Sequence, residues 1–148
     1  MNDVSSNIIM NAERLLQEKR FQETLDSLGG IDATSISPED RISIELIRLE
    51  AFLYIGNYDI RESLHKMIEY LRFGNSNKQY ARAKFLYGWF LVSQGQLLDA
   101  KEVLLEAFVN YKRYDDYLGQ ARALNHLSFI AHQTGDLTAS INHLQTCL

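Results

Sequence analysis

ARAKFLYGWFLVSQGQLLDAKEVLLEAF, residues 81–108, is answered forty residues later by ARALNHLSFIAHQTGDLTASINHLQTCL, residues 121–148. Set one above the other, small residues meet small ones: Gly88 with Ser128, Ala100 with Ser140, Ala107 with Cys147. Large apolar residues meet large ones: Tyr87 with Leu127, Leu97 with Leu137, Leu104 with Leu144. Self-similarity at a fixed period marks a supersecondary unit stacked on copies of itself. The period runs upstream. Gly95-Gln96 and Gly135-Asp136 punctuate the two stretches, and Gly56-Asn57 lies 39 residues before Gly95. A match without glycine, Lys19-Arg20, lies 37 residues before Gly56. The first unit keeps Ala12, Leu15, Phe21 and Leu28. The second, Ile42 to Leu71, is degenerate, with Arg61 where the third has Ala100.

Each unit reads as two helices. Apolar residues recur three and four apart, as in Ile42, Leu46, Leu49 and Leu53, which lays them along one helical stripe. Ser37-Pro38-Glu39-Asp40 sets an N-cap serine before a first-turn proline and two acids. Asn57 and Asp136 are expected to cap second helices, and Gly30 and Gly74 to take the left-handed position after a helix end. Pro38 is the single proline, so long helices run uninterrupted. The expected helices span about 3–18, 21–29, 38–55, 58–72, 77–94, 97–113, 117–134 and 137–148. Glycine inside a helix costs roughly 1 kcal/mol against alanine. Gly88 is therefore read as a packing device, expected to lie close to Ala100.

The chain has 148 residues, which suits one domain able to bury its own core. Its net charge of −4 disfavours direct nucleic-acid binding, which calls for a basic face. Cys147 is the only cysteine, so no internal disulfide forms, and a cytoplasmic location is expected. The longest membrane-like run, Phe85 to Val92, is far short of a span of about 20 residues. The N-terminus shows no secretory signal.

The pattern resembles the tetratricopeptide repeat. That signature joins a large residue, leucine-glycine and an aromatic in a first helix to a turn glycine and two spaced alanines in a second. The third unit carries Tyr87-Gly88, Gly95, Ala100 and Ala107; the fourth carries Leu127-Ser128, Gly135, Ser140 and Cys147. The likeness covers nearly the whole chain, strongly from Ala81 onward. It departs in a period of about 40 residues rather than 34, and in lacking proline after the second helix. YKRYDDYLGQARALNHLSFIAHQTGDL, residues 111–137, is similar to the longer repeats of LuxR-type and sigma-54-dependent bacterial transcription activators. The resemblance implies an all-α fold, an α-α superhelix of four antiparallel helix pairs. The repeat units would span about 5–36, 38–74, 77–115 and 117–148, within a longer protein.

The resemblance also implies a binding function. Its first helices line a concave groove, and the matched positions here are Arg82, Phe85 and Trp89, then Arg122, Asn125, Phe129 and His132. Arg82 and Arg122 stand one repeat apart, so stacking would set them side by side. Beside Trp89 and Phe129 they suit an acidic or carboxylate-bearing peptide. The alternative for the same residues is structural, with the arginines in salt bridges to acids of a neighbouring helix and the aromatics in inter-repeat core. No nucleotide-binding loop or zinc-protease motif is present, and Ser63-Leu64-His65-Lys66 lacks the companions of a penicillin-binding site. His126 and His132 stand six apart, the wrong spacing for a shared metal. No enzymatic activity, cofactor, metal or membrane contact is expected. The reading is a protein–protein or protein–peptide interaction module, serving as a regulatory or sensor segment of a larger regulator. A receptor for a short signalling peptide and a stand-alone scaffold are the alternatives. The fourth unit stops within its second helix. Leu137, Ile141, Leu144 and Leu148 would pack back on that unit's first helix, leaving an open end near Ile130 and Cys147 through which copies self-associate.

Overall fold

A computed structural model describes residues 2–74, 77–136, 138, 139, 141, 142 and 145. Among these every regular element is an α-helix, with no strand. It divides into two compact units, Met1–Ile60 and Arg61–Leu148. The division falls inside the second expected repeat.

The first unit holds α1 (Asn2–Gln17), α2 (Phe21–Leu28) and α3 (Pro38–Tyr54). Their apolar stripes meet in a core of Ala12, Leu16, Leu28, Ile44, Ile47 and Ala51. Phe21 stacks on Tyr54 with ring centroids 4.4 Å apart, tying the start of α2 to the end of α3. Ser37 caps α3 as its sequence indicates: its hydroxyl accepts the Asp40 N–H at 3.1 Å, with Pro38 in the first turn.

The second unit holds α4 (Arg61–Arg72), α5 (Asn77–Ser93), α6 (Leu97–Arg113) and α7 (Tyr117–Gln133). Thr138, Ala139, Ile141, Asn142 and Gln145 are helical beyond them. The helix α5 is the central one, in contact with α4, α6 and α7. It buries residues on all sides, including Ala81, Phe85, Leu86, Phe90 and Leu91.

The turn signals read from the sequence share one backbone conformation. At Lys19, Gly56, Gly95 and Gly135 the backbone enters the left-handed region, with φ of 60°, 76°, 74° and 80°. The residue after each bonds back to the carbonyl five before it: Arg20 to Leu15, Asn57 to Phe52, Gln96 to Leu91, Asp136 to Ala131, all at 2.8–2.9 Å. The left-handed residue itself bonds to the carbonyl three before it. This is the Schellman closure of a helix end, made at these four turns and once more at the end of α6, where Asp115 has φ 53° and Asp116 bonds back to the Tyr111 carbonyl at 3.0 Å. The glycine-free match at Lys19 is thus the same turn built with a lysine.

Several local expectations are corrected. Gly30 and Gly74 are not left-handed. The helix α4 starts at Arg61 rather than 58, because the Asn57 side chain accepts the Asp59 N–H inside the loop and does not cap the helix. Asp136 does act as a cap, accepting the Ala139 N–H at 3.0 Å. The atoms nearest Gly88 belong not to Ala100 but to Leu104, one turn further along α6. A Cβ on Gly88 would sit 2.6 Å from Leu104 Cγ. Arg61, in the Ala100 position of its unit, lies with its guanidinium 5.1 Å from the Phe90 ring centre and donates to Gln96. Ile130 is buried and Ile141 is 55% exposed, so neither fills its expected place at the end of the chain. Leu137, Leu144, Cys147 and Leu148 lie outside the described residues.

Candidate functional site

The face where α5 meets α7 is built outward from one buried ring. Gly119, in the first turn of α7, has no side chain because Tyr111 of α6 occupies that space; a Cβ there would overlap the tyrosine ring. Asp116 holds this turn by accepting the Gly119 N–H at 2.8 Å. Tyr111 in turn stands edge-on to Phe85, centroids 6.4 Å apart. Phe85 is 0% exposed. It was expected to line a groove, but as a fully buried residue it makes the floor beneath one and touches no partner directly.

Two α7 side chains sit on that floor. The Arg122 guanidinium lies 4.6 Å from the Phe85 ring centre, a cation–π contact. One turn on, the His126 imidazole meets Phe85 edge-on at 5.2 Å and leans on Trp89 at 5.6 Å. Its Nδ1 lies 3.1 Å from the Arg122 carbonyl oxygen, so Nδ1 carries the hydrogen and donates. Burial pushes the His126 pKa below its ordinary value. The bond to the Arg122 carbonyl works against that shift and the Arg122 charge adds to it.

Beside the imidazole lies an open, mostly apolar pocket of about 260 Å³, lined by Trp89, Val92, Ser93, Asn125, His126 and Phe129. Three expected residues, Trp89, Asn125 and Phe129, are thus brought together. His132 is exposed, at the last turn of α7, outside this lining. Arg82 is half-buried on α5 and likewise outside it. Val92, Ser93 and His126 were not anticipated. Their spacing could have found them: Val92 is three residues beyond Trp89, and His126 is four beyond Arg122 and three before Phe129, the offsets that share a helix face.

Charge is distributed unevenly among these helices. The helices α5 and α7 contain Lys78, Arg82, Lys84 and Arg122 but no aspartate or glutamate, in a chain of net charge −4. The helix α6 carries Asp99, Glu102 and Glu106. Lys84, with only 12% of its side chain exposed, pairs with Glu106 at 2.9 Å, and the Tyr80 hydroxyl donates to the same carboxylate at 3.0 Å. Burial raises the Glu106 pKa, but the bonds from Lys84 and Tyr80 outweigh it and leave the pKa below the usual range.

Ser93 stands beside a histidine, the pairing a nucleophilic hydroxyl would need. Its hydroxyl instead donates to the Phe90 carbonyl at 2.6 Å. Among the described residues, no cluster of three histidine, cysteine or acidic side chains is placed to hold a metal, and no helix is long and apolar enough to cross a membrane. No protein-family model, curated protein or solved structure matches the chain.

Proposed function

We infer that this chain is a tetratricopeptide-like interaction module, four helix pairs wound into a superhelix, and that the face shared by α5 and α7 binds an acidic segment of another protein. The observation that carries the reading is the carboxylate-free α5–α7 pair around an aromatic pocket, in an otherwise acidic chain. Such a face attracts negative charge by its field and then holds an apolar side chain in the pocket. Arg122, fixed over Phe85, is pre-oriented for a carboxylate, which lowers the ordering cost of binding. The left-handed turns at Lys19, Gly56, Gly95 and Gly135 support the repeat reading, since they close helices at intervals of 37, 39 and 40 residues, with the turn at Asp115 closing α6 between the last two. The orientation of the Ser93 hydroxyl supports binding over nucleophilic chemistry. Within a larger regulator, such a module would sense a partner and restrain or release an output domain.

Trp89 is the only tryptophan and lines the pocket, so its fluorescence reports occupancy. Two short synthetic peptides, each with one phenylalanine, one rich in glutamate and the other in lysine, make the test. The acidic peptide should change the Trp89 emission with a salt-sensitive affinity, and Arg122→Glu should abolish the response. Equal responses to the two peptides, or none to either, would refute the reading.

A further inference from the structure

We propose that the pocket beside His126 is an anchor site for one aromatic side chain that brings its own hydrogen-bond donor, a tryptophan indole or a tyrosine phenol on the partner segment. The proposal rests on the peptide-binding reading and names what the pocket itself selects.

Size limits the occupant first. At about 260 Å³ the pocket falls below the roughly 300–1,000 Å³ of sites that enclose a whole small molecule. It suits a single large side chain. Its walls are aromatic on both helices, Trp89 from α5 and Phe129 with the His126 ring from α7. Flat faces of this kind favour a ring, through offset or edge-on contacts, over an aliphatic chain.

The polar atoms in the lining then separate one ring from another. Because Nδ1 of His126 donates to the Arg122 carbonyl, the neutral ring leaves Nε2 as a lone-pair acceptor on the side of the imidazole away from that bond. Among the described residues, the His126 ring is seen to hydrogen-bond through Nδ1 alone. Ser93 offers less, since its hydroxyl donates to the Phe90 carbonyl at 2.6 Å and already accepts from the Gln94 amide at 3.4 Å. His126 lines the pocket, so its Nε2 is the acceptor that an occupant meets there, beside the Asn125 amide, which can both donate and accept. A phenylalanine seated there would bury Nε2 without a partner. An indole N–H or a phenol O–H would satisfy it. A site with a committed polar atom discriminates against the occupant that lacks the matching group. Charge complementarity places the ring on an acidic segment, because the Arg122 guanidinium lies over Phe85 next to His126 and neither α5 nor α7 carries a carboxylate to repel one.

The test uses ring fragments on the full chain, followed by amide chemical shifts in NMR titrations. Indole and benzofuran have nearly the same shape, but only indole has an N–H. Indole should bind several-fold to about tenfold more tightly, the range of one net hydrogen bond. The largest shifts should fall at Asn125, His126 and Phe129. His126→Phe keeps an aromatic wall but removes the acceptor, so it should bring indole down to the affinity of benzofuran. 1-Methylindole, with its N–H blocked, makes the same comparison without any variant. The proposal is overturned if benzofuran matches indole, if neither ring shifts those amides, or if the preference survives His126→Phe. Loss of the indole preference with the acidic-peptide response intact removes the anchor alone. The reverse result removes the acidic partner and keeps the anchor.

Discussion

The helices α5 and α7 align with one another in sequence at a spacing of forty residues, yet they put the matched positions to different use. Forty residues separate Phe85 from Asn125 and Trp89 from Phe129. Phe85 is 0% exposed while Asn125 lies open; Trp89 is half-buried while Phe129 is 47% exposed. The cause is the number of neighbours. The helix α5 is in contact with α4, α6 and α7, and its Phe85 is covered by Tyr111, Arg122 and His126. The residue chemistry follows: a ring where another helix covers the position, an amide where solvent does. A repeat position fixes direction, and stacking decides whether that direction is core or surface.

The largest test of this contrast is truncation. Phe85→Ala should cost about 3–5 kcal/mol, as expected for deleting a buried aromatic ring. Phe129→Ala at the equivalent of Trp89 should change stability by less than about 0.5 kcal/mol while weakening occupancy of the pocket. Urea denaturation of both variants measures the gap. Similar costs for the two would show that α7 is as covered as α5.

The next test concerns close approach of helices. At Gly88 a methyl group would press on Leu104, and a core leucine held on all sides yields little. Gly88→Ala should therefore destabilise by about 1–3 kcal/mol through overpacking, less the roughly 1 kcal/mol gained in helix propensity. Ser128, the repeat equivalent on α7, already carries a Cβ and is buried at 4% exposure, so Ser128→Ala should be nearly neutral in packing. Thermal melts of the pair decide it. A Gly88→Ala protein that melts higher than the parent would show that Leu104 moves aside freely.

The all-helical class and the positions of α1 to α7 were largely legible in the sequence, and the local failures have physical causes. Helix existence followed from three-and-four spacing and from turns that need a left-handed residue. Even the lysine turn was visible by its interval, because period constrains more than residue type does. Gly30 and Gly74 misled because glycine permits a left-handed backbone without requiring one. Asn57 misled because its side chain serves either a helix cap or a local loop bond, and only the loop geometry chooses. At the site, residue direction was readable but coverage was not. Phe85 and Trp89 share a face, and nothing within α5 says which of them α7 will cover. His126 was weighed against other histidines as a ligand, whereas its place was set by Arg122 and Phe129 on either side.

The lysine turn gives a smaller effect. A lysine held at φ 60° carries a backbone cost that glycine at the matched turns avoids. Lys19→Gly should raise stability by about 1 kcal/mol, because the left-handed cost of roughly 1–2 kcal/mol exceeds the unfolded-state entropy of one glycine. Gly95→Ala at the matched turn of the second unit should lower stability by a similar amount. Equal responses of opposite sign in chemical denaturation would show the two turns to be energetically equivalent. A destabilised Lys19→Gly would mean that its side chain contributes more than its backbone costs.

The smallest effect is expected from pH, and its sign follows from His126. Its pKa lies below the ordinary 6.5, chiefly because burial disfavours the charged ring. Between the folded and unfolded values the unfolded chain binds the proton more readily, so stability rises with pH in that window. The contribution is complete above about 6.5 and is lost as pH falls through the folded value. Glu106, also lowered, acts in the same direction but only below about 4.5, the ordinary value from which its bonds to Lys84 and Tyr80 depress it. Melting temperatures compared at pH 7.5 and 5.5 therefore isolate the histidine. The parent should lose more on acidification than His126→Phe, which keeps a ring over Phe85 and cannot take up a proton. Equal losses in the two proteins would place the pH sensitivity elsewhere and show that the imidazole is free to charge where it sits.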